Sequence, residues 1–188
     1  MNQTSQSLES EGGQKDYAAL TRELSYRYPS SDSWILKDID LKIKPGEFIL
    51  LVGPSGCGKS TLSLTLNGII PRDFSGTKEG HVEVYGWNPA EREVFEMATK
   101  IGLVFQDADS QIANMFIGDE IAFGAQNLRV PKEVILQRME RVLEAIGMKG
   151  MQDRSVYDLS GGQKQRVAIG SVLAMEPMVM VFDEPTAN

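Results

Sequence analysis

The residues with the most definite chemistry run Gly53-Pro-Ser55-Gly56-Cys57-Gly58-Lys59-Ser60-Thr61. They fit the pattern G-x-x-x-x-G-K-[ST], after the apolar run Phe48–Val52 and before a helix-like stretch, Ser60–Ile69. Glycines let the backbone curl so that successive N–H groups point inward at anion oxygens. A helix N-terminus adds about half a positive charge behind them. At the end of such a loop, Lys59 suits the β- and γ-phosphates of a nucleoside triphosphate, and the Ser60 hydroxyl suits the shell of Mg²⁺. The bland alternative, a glycine-rich structural turn, leaves the strand before and the helix after unexplained. Cys57 is read as a small filler within the loop rather than as a redox sensor.

A second site follows the apolar stretch Met178–Phe182, which ends in Asp183-Glu184. In parallel α/β sheets, ligands bind beyond the carboxyl ends of the strands. There Asp183 can hold Mg²⁺ through water, and Glu184 can polarise an attacking water as a general base. Alone, an acidic pair after a strand is as readily a solvated turn; the upstream loop favours the functional reading.

Leu159-Ser160-Gly161-Gly162-Gln163 stands before a helix, about twenty residues ahead of Asp183. With the loop upstream and the acidic pair downstream, this ordered set resembles the ATP-binding-cassette (ABC) ATPases, from about Leu24 to Asn188. The resemblance implies ATP and Mg²⁺ as cofactors and an ATPase activity. It makes Glu184, Gln106 and Lys59 the catalytic set and Ser60, Gln106 and Asp183 the Mg²⁺ set. Gln106 closes the strand-like IGLVFQ, where the family has a glutamine touching Mg²⁺ and the attacking water. Tyr28, in LSYRYP, matches the ring that the family places against adenine, where stacking gives little base selectivity; a core strand tyrosine is the alternative. Gly53, Ser55, Gly56, Cys57, Gly58, Lys59, Ser60 and Thr61 would hold nucleotide in the chain's own loop. Ser160, Gly161, Gly162 and Gln163 would close over nucleotide bound by a second ABC ATPase subunit, the same chain or a paralogue.

Within the family, Asp109-x-Gln111, the run GDEIAFG and the stretches LNGIIP and GHVEVYG resemble the ATPases of energy-coupling-factor and cobalt-type importers. That implies a transmembrane transporter subunit as partner, a metal ion or vitamin-like solute as cargo, and a place at the cytoplasmic face of the membrane. Met115, Phe116, Ile117, Ile121 and Phe123 are candidates for apolar contacts to that partner, although most of them are read as core of the chain's own helices. The family continues past this point with an Asp-bearing intersubunit loop and a strand ending in a histidine. Neither is found before Asn188, and His81, the one histidine, reads as an ordinary strand residue. The chain is therefore expected to be C-terminally truncated, with exposed apolar surface and slow hydrolysis.

The elements that must position these residues are legible from pattern. LTRELSYRY and SDSWILKDIDLKI alternate as strands; in the latter Ile39, Leu41 and Ile43 oppose Asp38, Asp40 and Lys42. Phe48–Val52 reads as a strand covered on both faces. His81–Tyr85 reads as an antiparallel edge strand, and Ile101–Phe105 and Met178–Phe182 as buried strands. Pro131 to about Gly147 is the best amphipathic helix, and a second runs from near Gly162 to Met175. The class is α/β: a P-loop NTPase with a central, mostly parallel sheet, a small antiparallel β flank and a helical subdomain at about 107–160. Residues 1–17 are expected to be a disordered polar tail and 18–188 an incomplete nucleotide-binding domain.

Composition agrees. The 188 residues are 41% hydrophobic, with a single cysteine and a net charge of −7. The acidic balance argues against nucleic-acid binding, so no such partner is expected. No run approaches the ~18 apolar residues of a membrane span. Two other functions stay open: a soluble ABC ATPase acting on nucleic acid or ribosomes, and a non-catalytic nucleotide-binding fragment.

Overall fold

A computed structural model describes residues 17–185. The expected polar tail, residues 1–17, lies outside the described residues except for Tyr17. The alternating segments become an antiparallel flank of β1 (Ala19–Arg27), β2 (Leu36–Ile43) and β3 (Thr77–Val84), in the order β2-β1-β3. On β2, Ile39, Leu41 and Ile43 turn partly inward while Asp38, Asp40 and Lys42 face solvent, as period-two alternation requires. Helix α1 (Lys59–Asn67) packs beneath this flank, followed by the short α2 (Ile69–Arg72). After β3 come α3 (Val94–Met97) and β4 (Ile101–Val104).

Strand β4 pairs in parallel with β5 (Val179–Phe182), from Ile101 opposite Val179 to Val104 opposite Phe182. The whole crossover between them is helical: α4 (Ala108–Gln111), α5 (Ile117–Asn127), α6 (Lys132–Ala145) and α7 (Gly161–Leu173). Pro131 opens α6, and Gly147, at φ 69°, follows its end. Two cores result. Leu24, Tyr26, Leu62, Val82 and Ile101 form one; Ile117, Ile121, Val142, Ile146 and Val167 form the other. Helix α7 reaches between them, since a Cβ on Gly102 would lie 2.3 Å from Val172 Cγ1. The corner from α7 to β5 is fastened to α6 by Arg138 and Arg141, 2.7 and 3.0 Å from the Glu176 carboxylate.

One expected element is absent. Phe48–Val52 forms no strand, and its side chains are exposed, Phe48 to 92%. An apolar run becomes a buried strand only where another strand bonds it and layers cover its faces. Among the described residues, β4 and β5 pair only with each other, and neither sheet reaches 48–52. The parallel part of the sheet is thus two strands.

Tyr26 anchors the first core. Its ring is fully buried and meets Tyr28 edge-on, with centroids 5.0 Å apart at 82°. Its hydroxyl lies 3.0 Å from the Ser75 carbonyl oxygen and 3.3 Å from that of Phe74. Burial first, and the neighbouring Tyr28 second, raise the Tyr26 phenol above its ordinary value of 10.0. A raised folded-state pKa gives stability that is complete below the unfolded value and lost as pH rises through the folded one. Urea unfolding is therefore expected to show stability falling above pH 10.0. Tyr26→Phe should flatten that fall and cost about 1 kcal/mol at neutral pH. An identical alkaline slope in both proteins would contradict the assignment.

Candidate functional site

The site begins with a backbone constraint. Gly58 precedes α1 at φ 99° and ψ 6°, in left-handed space. A Cβ there would lie 2.8 Å from the Ile35 carbonyl oxygen and 3.0 Å from Leu36 Cδ2, so only glycine fits without displacement. Gly56 is also left-handed, at φ 78°. The turn launches α1 through the Leu62 N–H, which donates to Gly58 O at 2.9 Å. Among the described residues, no intrachain acceptor meets the amides of Lys59, Ser60 and Thr61, the usual state of a helix start. Among the described residues, beyond its chain neighbours, nothing lies within 4 Å of a Cβ placed on Gly56. An open loop with unpaired donors suits an anion. Ser55 and Ser60 are exposed here, and Cys57 is an exposed free thiol whose sulfur lies against Gly53.

Lys59 crosses the loop. Its Nζ donates to Gly53 O at 3.0 Å and Pro54 O at 3.2 Å, and lies 3.6 Å from Glu184 Oε1. The parallel register brings the carboxyl ends of β4 and β5 together, with Asp183 N–H donating to Val104 O at 2.9 Å. Gln106 Nε2 donates to Glu184 Oε2 at 3.3 Å. Glu184 adopts φ 47°, a left-handed conformation that costs a residue with a Cβ about 1–2 kcal/mol. Lys59, Gln106 and Glu184, from three separate segments, therefore meet at one point. Asp183 adjoins them, half-buried and without a side-chain partner among the described residues. Tyr28 reaches the same loop from the β flank, its hydroxyl 3.2 Å from Thr61 Oγ1.

The pentapeptide is a separate surface. Ser160 caps α7: its Oγ accepts from Gln163 N–H at 3.4 Å, while Gln163 Oε1 accepts from Ser160 N–H at 2.9 Å. Gly161 and Gly162 face open space. Among the described residues, no hydrogen bond or ion pair joins Ser160–Gln163 to the Gly53–Thr61 loop.

Sequence reasoning gave no role to Glu120. It is 3% exposed, and its Oε2 accepts from Ala113 N–H, Asn114 N–H and Asn114 Nδ2 at 3.0, 2.9 and 3.0 Å. It thus holds the loop between α4 and α5. The available signal was an acid on the same helical stripe as Ile117 and Ile121. Of the five apolar residues expected to lie mostly in the helical core, Ile117 and Ile121 are fully buried there. Met115, Phe116 and Phe123 are exposed: Met115 and Phe116 precede α5, and Phe123 falls off the stripe of Ile117 and Ile121.

Residues 36–187 match the family model described as ABC transporter. A putative ABC transporter ATP-binding protein of Methanosarcina mazei is 44% identical over 176 residues, which are 93% of this chain and 30% of that protein. One from Pyrococcus abyssi is 46% identical over 165 residues, 88% of this chain and 59% of the relative. A putative HMP/thiamine import ATP-binding protein of Bacillus subtilis is 40% identical over 173 residues, 92% and 32% of the two chains. The chain spans between 30% and 59% of the length of these curated relatives. Among solved structures, CbiO1 from Clostridium perfringens, part of the ABC transporter complex CbiONQ, matches with a TM-score of 0.79 at 35% identity. That match covers 92% of this chain and 67% of CbiO1, and it carries the P-loop NTPase fold.

Alanine at Gly58 must enter left-handed space and displace Ile35. Gly58→Ala is expected to lower unfolding free energy by about 1–2 kcal/mol or more. Gly161→Ala, facing open space, should stay within about 0.5 kcal/mol of the parent. Equal urea midpoints for Gly58→Ala and the parent would contradict the loop geometry.

Proposed function

This chain belongs to the ABC transporter family, and we propose that it binds and hydrolyses ATP as the energy-supplying subunit of an importer. One observation carries the reading: Lys59, Gln106 and Glu184 converge beside a loop in which the Lys59, Ser60 and Thr61 amides meet no acceptor among the described residues. The resident groups fit. The Gly53–Thr61 loop offers N–H donors and a cation to a triphosphate, and Tyr28 offers a ring to adenine. Among the described residues, no cluster of three His, Cys, Asp or Glu side chains exists to hold a metal alone. Ser60, Gln106 and Asp183 would share Mg²⁺ with phosphate oxygens, and the ion would neutralise charge developing on them.

Lys59 exchanges its Glu184 contact for phosphate oxygens. That leaves Glu184 Oε1 free to accept the proton of an attacking water, and Gln106 Nε2 steadies the other carboxylate oxygen. Ser160, Gly161, Gly162 and Gln163 act on nucleotide held by a second ABC ATPase subunit. Residues 107–160 act as the helical subdomain of a nucleotide-binding unit. Phe116 and Phe123, two turns apart, present with Met115 an exposed apolar face to a transmembrane subunit. The likeness to CbiO1 supports such a partner, and supports uptake of a metal ion or vitamin-like solute from a seat at the cytoplasmic membrane face. No described helix is long and apolar enough to cross a membrane. The net charge of −7 disfavours action on nucleic acid.

Single-turnover hydrolysis tests this reading. Glu184→Gln should slow ATP cleavage by about 10²–10⁴-fold. ATP affinity should hold or rise, because Lys59 loses its competing carboxylate. Undiminished cleavage by Glu184→Gln would overturn the assignment.

A further inference from the structure

Stacking on a base needs only an aromatic face, and phenylalanine supplies one as well as tyrosine does. The Tyr28 hydroxyl therefore has no part in the reading above, yet it has a definite partner. It lies 3.2 Å from Thr61 Oγ1, one hydroxyl donating to the other. Thr61 is 6% exposed and stands in the first turn of α1, just beyond Gly58. Other contacts hold the same ring and its turn. The buried Tyr26 ring meets Tyr28 edge-on, and Tyr26 is itself anchored through its hydroxyl to the Ser75 and Phe74 carbonyls. The Ser31 N–H donates to the Tyr28 carbonyl at 3.0 Å, and the Ile35 N–H to the Tyr26 carbonyl at 2.9 Å, closing the turn into β2. Arg27 braces that turn from 5.3 Å over the Trp34 ring. The T-shaped geometry leaves at least one face of Tyr28 clear of Tyr26.

We propose that the Thr61 side chain is a positioning group for the base: its hydroxyl tethers the Tyr28 ring to the phosphate-loop helix, so that the stacking face is set before nucleotide arrives. The Thr61 amide belongs to the loop, whereas its side chain acts through Tyr28. Burial strengthens such a bond, and here one partner is buried and the other half-buried. Ordering a free side chain at binding weakens affinity, and a ring already held escapes that loss. The platform for the base and the cradle for the phosphates then move as one unit, because Thr61 rides on α1. The consequence for affinity rests on the nucleotide reading; the tether itself does not.

Two readouts on the full chain separate these. By NMR without nucleotide, the resonance of the Tyr28 ring carbon that bears the hydroxyl should shift in Thr61→Val. Thr61→Ala, which removes the same hydroxyl, should act in the same direction, and Thr61→Ser, which keeps it, should restore the parent position. By calorimetry, Tyr28→Phe should weaken Mg²⁺-ATP binding about two- to tenfold, the cost of ordering one released ring. Inorganic tripolyphosphate, which has no base, should lose less than ATP does. Tyr28→Phe should add no further loss in the Thr61→Val background, since both changes remove one bond, and the loss should return in the Thr61→Ser background. An unmoved Tyr28 resonance in both Thr61→Val and Thr61→Ala, an ATP affinity untouched by Tyr28→Phe, or an equal Tyr28→Phe loss with the Thr61 hydroxyl already removed would overturn the proposal. ATP binding undiminished by Lys59→Ala would sink the nucleotide reading instead, and leave the resonance to decide the tether.

Discussion

Everything at the site depends on where Lys59 is held. Two carbonyl oxygens of its own loop and a carboxylate from the end of β5 fix the ammonium. The Glu184 pair is half-exposed, so it adds little stability. Its weight is geometric. It requires the loop before α1 and the carboxyl end of β5 to stay in register, and the architecture supplies that register twice. Asn67, at the end of α1, donates to the Ile101 carbonyl at 3.2 Å, tying the helix to β4. The β4–β5 ladder then sets Gln106 beside Glu184.

The helical crossover makes the same point from the other side. A connection between two adjacent parallel strands needs only one helix, and here it carries four. The extra helices form a core of their own, joined to the strands by the packing of α7 on Gly102 and by the Arg138–Glu176 contact. Within the helical part, Glu120 holds the loop between α4 and α5 through Ala113 N–H and Asn114 N–H. The pentapeptide sits at the start of α7, on this helical part.

The convergence of the candidate residues was more legible than their surroundings. Gly58, Lys59 and the Asp183-Glu184 step stood out because their types and spacing fit a phosphate-binding pattern, and the structure sets Lys59 and Glu184 3.6 Å apart. The amphipathic helix over Lys132–Ala145 could be read because its stripe has one period. Phe48–Val52 misled, because five apolar residues announce a need for burial without saying which element will cover them. Glu120 stayed hidden for the opposite reason. A polar residue within a helix reads as solvent-facing, and only tertiary packing shows that its partners are backbone groups of the loop before it. The contact of Tyr28 with Thr61 is of the same kind: the residue type was readable, its neighbour was not.

The central claim is that the Gly53–Thr61 loop takes the triphosphate of ATP through Lys59. Calorimetric titration of Mg²⁺-ATP into the parent chain and into Lys59→Ala measures this directly. Loss of a charge-assisted contact of about 1.5–3 kcal/mol should weaken binding by about 10–100-fold. Equal affinities, or no heat of binding to the parent chain, would contradict the account.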